Sequence, residues 1–155
     1  MIMNSFDHNS LMLLSNDYLP AIIALSILCF SVLLQSLLTA PLAFLKEEQV
    51  PGMPLNGDHT LLSFRVQRTY SNSVESLPAF SVSLIIAILI GVSSIIVNWA
   101  GVIHVLFRLA FWGVYYSGKG KVAGGSRTLC FVGGLLSNLV LSGACILHLV
   151  STAIA

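Results

Sequence analysis

Residues 19–45 read LPAIIALSILCFSVLLQSLLTAPLAFL, a stretch with no charged side chain from Leu19 to Leu45. A helix needs roughly 20 mostly apolar residues to cross the hydrocarbon core of a bilayer, so this segment is long enough to span one. Three more apolar stretches follow. One starts amphipathically near Leu61 and is continuously apolar from Leu77 to Val97; the next runs from Trp99 to Ser117, and the last from Ser126 to Ile154. Composition agrees with this pattern. Of the 155 residues 56% are hydrophobic and 8% charged, with a mean hydropathy of +0.92, against about 25% charged in soluble domains. A water-facing surface cannot be built from such a chain. The expected fold is therefore an all-α integral membrane protein, a single four-helix membrane domain over residues 1–155. Its spans are expected at about 19–45, 61–97, 99–117 and 126–154.

The first twenty residues have no basic n-region and carry Asp7 and Asp17, so they read as a tail before a true first span rather than as a cleaved signal. Lys46, Arg65 and Arg68 flank the first loop, and Lys119, Lys121 and Arg127 flank the third, whereas the turn expected around Asn98–Gly101 is uncharged. The positive-inside rule places loops 46–60 and 118–125 in the cytoplasm and both termini outside. The C-terminal STAIA has no retention signal, which points to a bacterial inner membrane. Seven scattered basic residues exclude a nucleic-acid footprint. Cys29, Cys130 and Cys145 have neither metal-ligand nor redox spacing, so each reads as a small buried hydrophobe, and no metal site is expected.

The informative residues are polar ones inside or beside the spans, because an ionisable group there costs ~2.5–3.5 kcal/mol on insertion scales and needs a partner. The second helix opens RVQRTYSNSVE, putting Arg65, Arg68, Asn72 and Glu75 on one face within an arc of about 80°. Arg108 lies midway along the third span, and Tyr115 follows seven residues later on the same face. Arg127 stands at the start of the fourth helix, where its charge adds to the positive end of the helix dipole unless an anion binds there. Apart from Arg108, these groups collect at the cytoplasmic ends of their helices. They could line a cationic pocket walled by apolar helix, suited to a small anionic molecule meeting a lipophilic one. The plainer reading has Arg65 or Arg68 paired with Glu75, and Arg108 paired across helices, as glue.

RxxRxxxNxxE at Arg65, Arg68, Asn72 and Glu75, then Pro78 and Phe80, then Arg108 and Tyr115, then SRTLCFVGG from Ser126, resembles the MAPEG family, membrane-associated proteins in eicosanoid and glutathione metabolism. The resemblance implies a homotrimer of four-helix subunits that binds glutathione as co-substrate between neighbours. Arg65, Arg68, Asn72 and Glu75 would then hold the peptide's carboxylates and amino group, Tyr115 would contact it, and Arg108 would support the pocket. Arg127 and Thr128 would be catalytic, stabilising the thiolate. The second partner would be a lipophilic electrophile or lipid hydroperoxide arriving from the membrane lipids. The implied function is a glutathione-dependent transferase or peroxidase; the alternative is a non-catalytic lipid-binding or scaffold protein on the same fold.

The chain departs from that pattern in offering only Lys46 at the end of the first helix, Ser71 at a position often basic, and Phe111 where some relatives have His. A channel or transporter is disfavoured because the polar groups gather on one side and no pair of half-helices marks a midplane site. His104 reads as packed or bonded to backbone, and His59 and His148 as lacking partners. Trp99 reads as an interfacial anchor. Gly133, Ser137 and Ala144 read as a close-packing stripe.

Overall fold

The computed structural model describes residues 16–45, 47–121 and 124–154. Lys46 and the tail before residue 16, both used above to orient the chain, lie outside the described residues. Four helices follow in order: α1, Leu19–Thr39, continued by a π-helical turn, Ala40–Phe44; α2, Leu62–Leu89; α3, Ser94–Ser117; and α4, Ser126–Ile154. Each is long and apolar enough to cross a membrane, and no strand occurs among the described residues. The chain is an all-helical, four-span integral membrane protein. The wide turn after α1 has a local cause. Pro41 has no amide hydrogen and its ring crowds the preceding carbonyls; the helix widens, and Leu45 donates to the carbonyl of Ala40, five residues back, at 3.0 Å.

The second turn lies elsewhere than the sequence pattern suggested. Helix α2 stops at Leu89 and α3 begins at Ser94, so the chain reverses at residues 90–93, not at 98–101. Gly91 supplies the left-handed residue, with φ 77°. Its amide donates to Ile88 at 3.2 Å, and that of Val92 to Ala87 at 2.9 Å, closing a Schellman cap. The apolar run through Ile90 and Val92 hid this stop signal. As a result α2 is about 42 Å long at 1.5 Å per residue rather than the roughly 55 Å implied by a span to Val97, and α3 gains a turn.

Asn98 marks no turn; it ties helices together from inside α3. Its Oδ1 accepts from the Ala21 amide at 3.1 Å and its Nδ2 donates to the Asp17 carbonyl at 2.8 Å, satisfying groups left open at the start of α1. Tyr18 adds a 2.6 Å bond from its hydroxyl to the Val92 carbonyl.

Small residues let the helices approach each other. Ala21, Ala24 and Leu28 of α1 meet Phe80, Leu84 and Ala87 of α2, Val97 and Ala100 of α3, and Leu141 of α4 in one buried cluster. A Cβ on Gly101 would lie 3.3 Å from the Ala21 Cα, and one on Gly133 would lie 2.5 Å from the Phe107 ring. Ser137 is buried and Ala144 packs on the cluster, so the small-residue stripe of α4 is a contact surface. Phe30, Leu33, Leu37, Leu89, Ile95, Trp99 and Leu147 are exposed, as lipid-facing side chains are. All three cysteines are free, with Cys130 and Cys145 buried.

Asn98→Ala removes two hydrogen bonds at the α1–α3 end and leaves the Ala21 amide open. It is expected to destabilise the bundle by about 1–3 kcal/mol. Thermal unfolding in detergent measures this, and an unchanged melting temperature would mean the tie contributes nothing.

Candidate functional site

The loop between α1 and α2 organises one end of the bundle. Gln49, buried, braces it by donating to the Asn56 carbonyl at 2.7 Å and accepting from the Asn56 amide at 3.0 Å. Asp58 accepts from the hydroxyl and the amide of Thr60 at 2.6 and 2.8 Å, a tight turn just before α2. Those bonds, the side-chain one foremost, hold its carboxyl below the usual carboxylate range. Arg65 then donates from one nitrogen to the carbonyls of His59 and Thr60, both at 2.8 Å. Gly118 ends α3 at φ 67°, and a Cβ there would come within 2.9 Å of the Arg65 guanidinium carbon. Arg65 is thus the clamp between the loop and the end of α3.

That clamp fixes His59. Its ring sits edge-on to Phe64 at 5.0 Å and 5.4 Å from the Tyr115 ring. Its Nδ1 accepts from Arg127 at 3.2 Å. Arg127 is 3% exposed and its guanidinium lies 4.9 Å from the centre of the Tyr115 ring. Its Nε is buried without a partner among the described residues. A buried cation is therefore held here by a neutral imidazole and an aromatic face, both weaker partners than a carboxylate. Burial pushes the His59 pKa below its ordinary value, and the adjacent Arg127 charge pushes it further.

Arg127 opens onto a cleft of about 340 Å³ between α2, α3 and α4. Arg68, Asn72 and Glu75 line it from α2, Phe111 and Tyr115 from α3, and Thr128 and Phe131 from α4. Six of the eight side chains expected at a site from the sequence thus share one cavity. Arg65 does not; it faces the loop backbone. Thr128 Oγ1 accepts from the Gly124 amide at 3.1 Å, which orients the hydroxyl at the cleft edge. Arg68, Glu75 and Thr128 are exposed on the single chain. Cys130 lies behind the wall, packed with Phe111 and Tyr115.

The eighth residue, Arg108, sits deeper and supports the wall. It is 5% exposed, donates to Asn72 Oδ1 at 2.8 Å and to Ser73 Oγ at 3.2 Å, and its guanidinium carbon lies 5.1 Å from the Phe111 ring centre. Ser73 in turn donates to Gln35 Oε1 of α1 at 2.9 Å. With its oxygen engaged by Arg108, the Asn72 amide keeps its NH₂ as a donor for the cleft. A second cavity of about 280 Å³ continues inward along the same seam, sharing Asn72, Glu75 and Phe131 with the first.

Sequence reasoning missed three members of this site. Gln35 is an amide inside an apolar span, the same kind of signal that marks Arg108. Ser73 is unremarkable among the serines of α2. His59 has partners only through the fold.

The geometry defines a class: a four-helix membrane protein with a cationic, hydrogen-bonding cleft at one end of the bundle and apolar helix around it. The sequence model described as MAPEG family matches residues 20–147. The chain belongs to that family of membrane proteins of glutathione and eicosanoid metabolism. No curated protein matches it.

The His59–Arg127 bond requires a deprotonated Nδ1. A folded-state pKa below the unfolded value means the unfolded chain binds the proton first, so the His59 contribution to stability is complete above pH about 6.5 and lost as pH falls below it. The melting temperature should fall between pH 7 and pH 5, and His59→Gln should flatten that slope. An identical slope in the variant would remove His59 from the account.

Proposed function

We propose that this protein is a membrane-embedded, glutathione-dependent transferase or peroxidase acting on lipophilic electrophiles or lipid hydroperoxides. The observation that carries the reading is Arg127, a buried guanidinium with an open Nε, held by neutral groups at the edge of a cleft that also offers Arg68, Asn72, Glu75 and Thr128. A cation so placed favours an anion. Glutathione matches the set by charge: Arg68 and the Asn72 NH₂ meet its carboxylates, Glu75 its ammonium group, and Tyr115 lies alongside. The free thiol has a pKa of about 8.5, which an adjacent guanidinium lowers, so Arg127 holds the sulfur as thiolate and the Thr128 hydroxyl hydrogen-bonds to it. Arg108 acts through Asn72, and Arg65 through the loop it clamps.

The same reading includes a homotrimer. Arg68 and Glu75 are exposed on the single chain beside lipid-facing helix, where a charged group is costly; a neighbouring subunit across the cleft covers them. It also places the loops at this end in the cytoplasm, following Arg65, Arg68, Lys119, Lys121 and Arg127.

Titration of the detergent-purified protein with glutathione, read by thiolate absorbance near the ultraviolet edge together with melting temperature, tests the reading. Saturable thiolate formation with a rise in melting temperature is the expected result. No binding and no thiolate at millimolar glutathione would move the function to lipid binding or scaffolding on the same fold. Arg127→Ala should cut the thiolate signal at pH 7 on the order of ten-fold, the effect of one unit of thiol pKa. Glu75→Gln should weaken glutathione binding about ten-fold; a variant that binds normally and only loses the trimer would make Glu75 structural glue.

A further inference from the structure

The mouth of the cleft poses a problem of direction as well as of charge. Arginine has a long, rotamer-rich stem, and the way its planar guanidinium points decides which N–H groups an entering anion meets. Arg127 is buried, yet it lines the cleft beside Arg68, Glu75 and Thr128. Among the described residues its one side-chain hydrogen bond is the 3.2 Å bond to His59 Nδ1. Its guanidinium carbon also lies 4.9 Å from the centre of the Tyr115 ring. The group is thus held at two places, at a terminal nitrogen and through its face.

His59 is itself fixed. Arg65 donates to its carbonyl at 2.8 Å, and Gly118 at the end of α3 has no Cβ to obstruct that guanidinium. The imidazole packs edge-on against Phe64, with ring centres 5.0 Å apart, and against Tyr115 at 5.4 Å. Three helices converge on this one loop residue: α2 through Phe64 and Arg65, α3 through Tyr115 and α4 through Arg127.

The chemistry of the holder matters. A carboxylate in its place would also fix Arg127, but it would cancel the charge that attracts an anion. A neutral imidazole accepts the N–H and leaves the charge intact. Burial foremost, and then the charge of Arg127, disfavour protonation of His59; Asp58 works the other way, and Arg68 and Arg65 add to the first two. At pH 7 the ring therefore remains an acceptor.

We infer that His59 is a positioning residue of the cleft: it fixes the direction of the Arg127 guanidinium without cancelling its charge, and so sets how strongly the cleft holds a thiolate. His59 does not line the cleft and acts through Arg127. The thiolate half rests on the glutathione reading; the fixing of Arg127 does not.

The full chain in phospholipid nanodiscs, labelled with ¹⁵N arginine and histidine, tests the fixing without any ligand. Arg127 is expected to show the separate terminal-nitrogen signals of a guanidinium held from rotating. These should merge as His59 titrates between pH 7 and pH 5, because protonation removes the acceptor. His59→Phe keeps a ring against Phe64 and Tyr115 and should merge them at pH 7; His59→Gln, whose side-chain oxygen accepts the same N–H, should restore them. With glutathione bound, the pH profile of thiolate absorbance should move up by about one unit in His59→Phe, on the order of a ten-fold loss of thiolate below the midpoint, and return toward the parent profile in His59→Gln. Arg127 signals that ignore both the His59 titration and His59→Phe overturn the inference whether or not glutathione binds, and the titration of the unsubstituted chain decides this even if the variant fails to fold. An unmoved thiolate profile in His59→Phe, with only the melting temperature lowered, also overturns it and leaves the glutathione reading intact. No thiolate in the unsubstituted protein removes that reading and the thiolate half together, while the Arg127 signals still decide the fixing.

Discussion

A guanidinium placed midway along a membrane helix cannot be left to lipid, and the bundle is arranged around the means of satisfying Arg108. Its two terminal nitrogens reach Asn72 and Ser73 on α2, and Ser73 passes the connection to Gln35 on α1. One charge thus sets the register of three helices, because a slide of any of them by a residue would strand a polar group in an apolar interior. The partners are amides and hydroxyls, not carboxylates. Glu75 is consequently available to the cleft rather than consumed in an ion pair with Arg108, and the cleft keeps both signs of charge.

The same economy shapes the mouth of the cleft. Arg65 and Arg127 are both basic and both near the loop, yet the fold treats them differently. Arg65 donates to two backbone carbonyls and positions the loop; Arg127 is held by an imidazole and a ring face, and its Nε has no partner among the described residues. Arg65 at the opening of α2 is thus turned to the loop, and Arg127 at the opening of α4 to the cleft, a difference the spacing alone could not show.

Much of this was legible in the amino acids. Hydropathy located four spans and the helical face carrying Arg68, Asn72 and Glu75, because a charged residue in an apolar helix is conspicuous at any resolution of pattern. What stayed hidden was information that lies in contacts. The turn at residues 90–93 is made by a single glycine inside an apolar run, and the polar Asn98 that looked like a turn bonds instead to another helix. His59 looked isolated because its partner is 68 positions away in the chain. His104, expected to be packed and bonded to backbone, is both.

The two ends of the bundle differ mechanically. At the end away from the cleft a four-residue turn, the Tyr18–Val92 bond and the two bonds of Asn98 pin α1, α2 and α3 together within a short distance. At the other end the helices are joined by longer segments. The bundle is thus stapled at one end and spread at the other, so by geometry alone a small difference of tilt at the stapled end corresponds to a larger displacement at the far end of about 40 Å of helix, the end where the cleft lies.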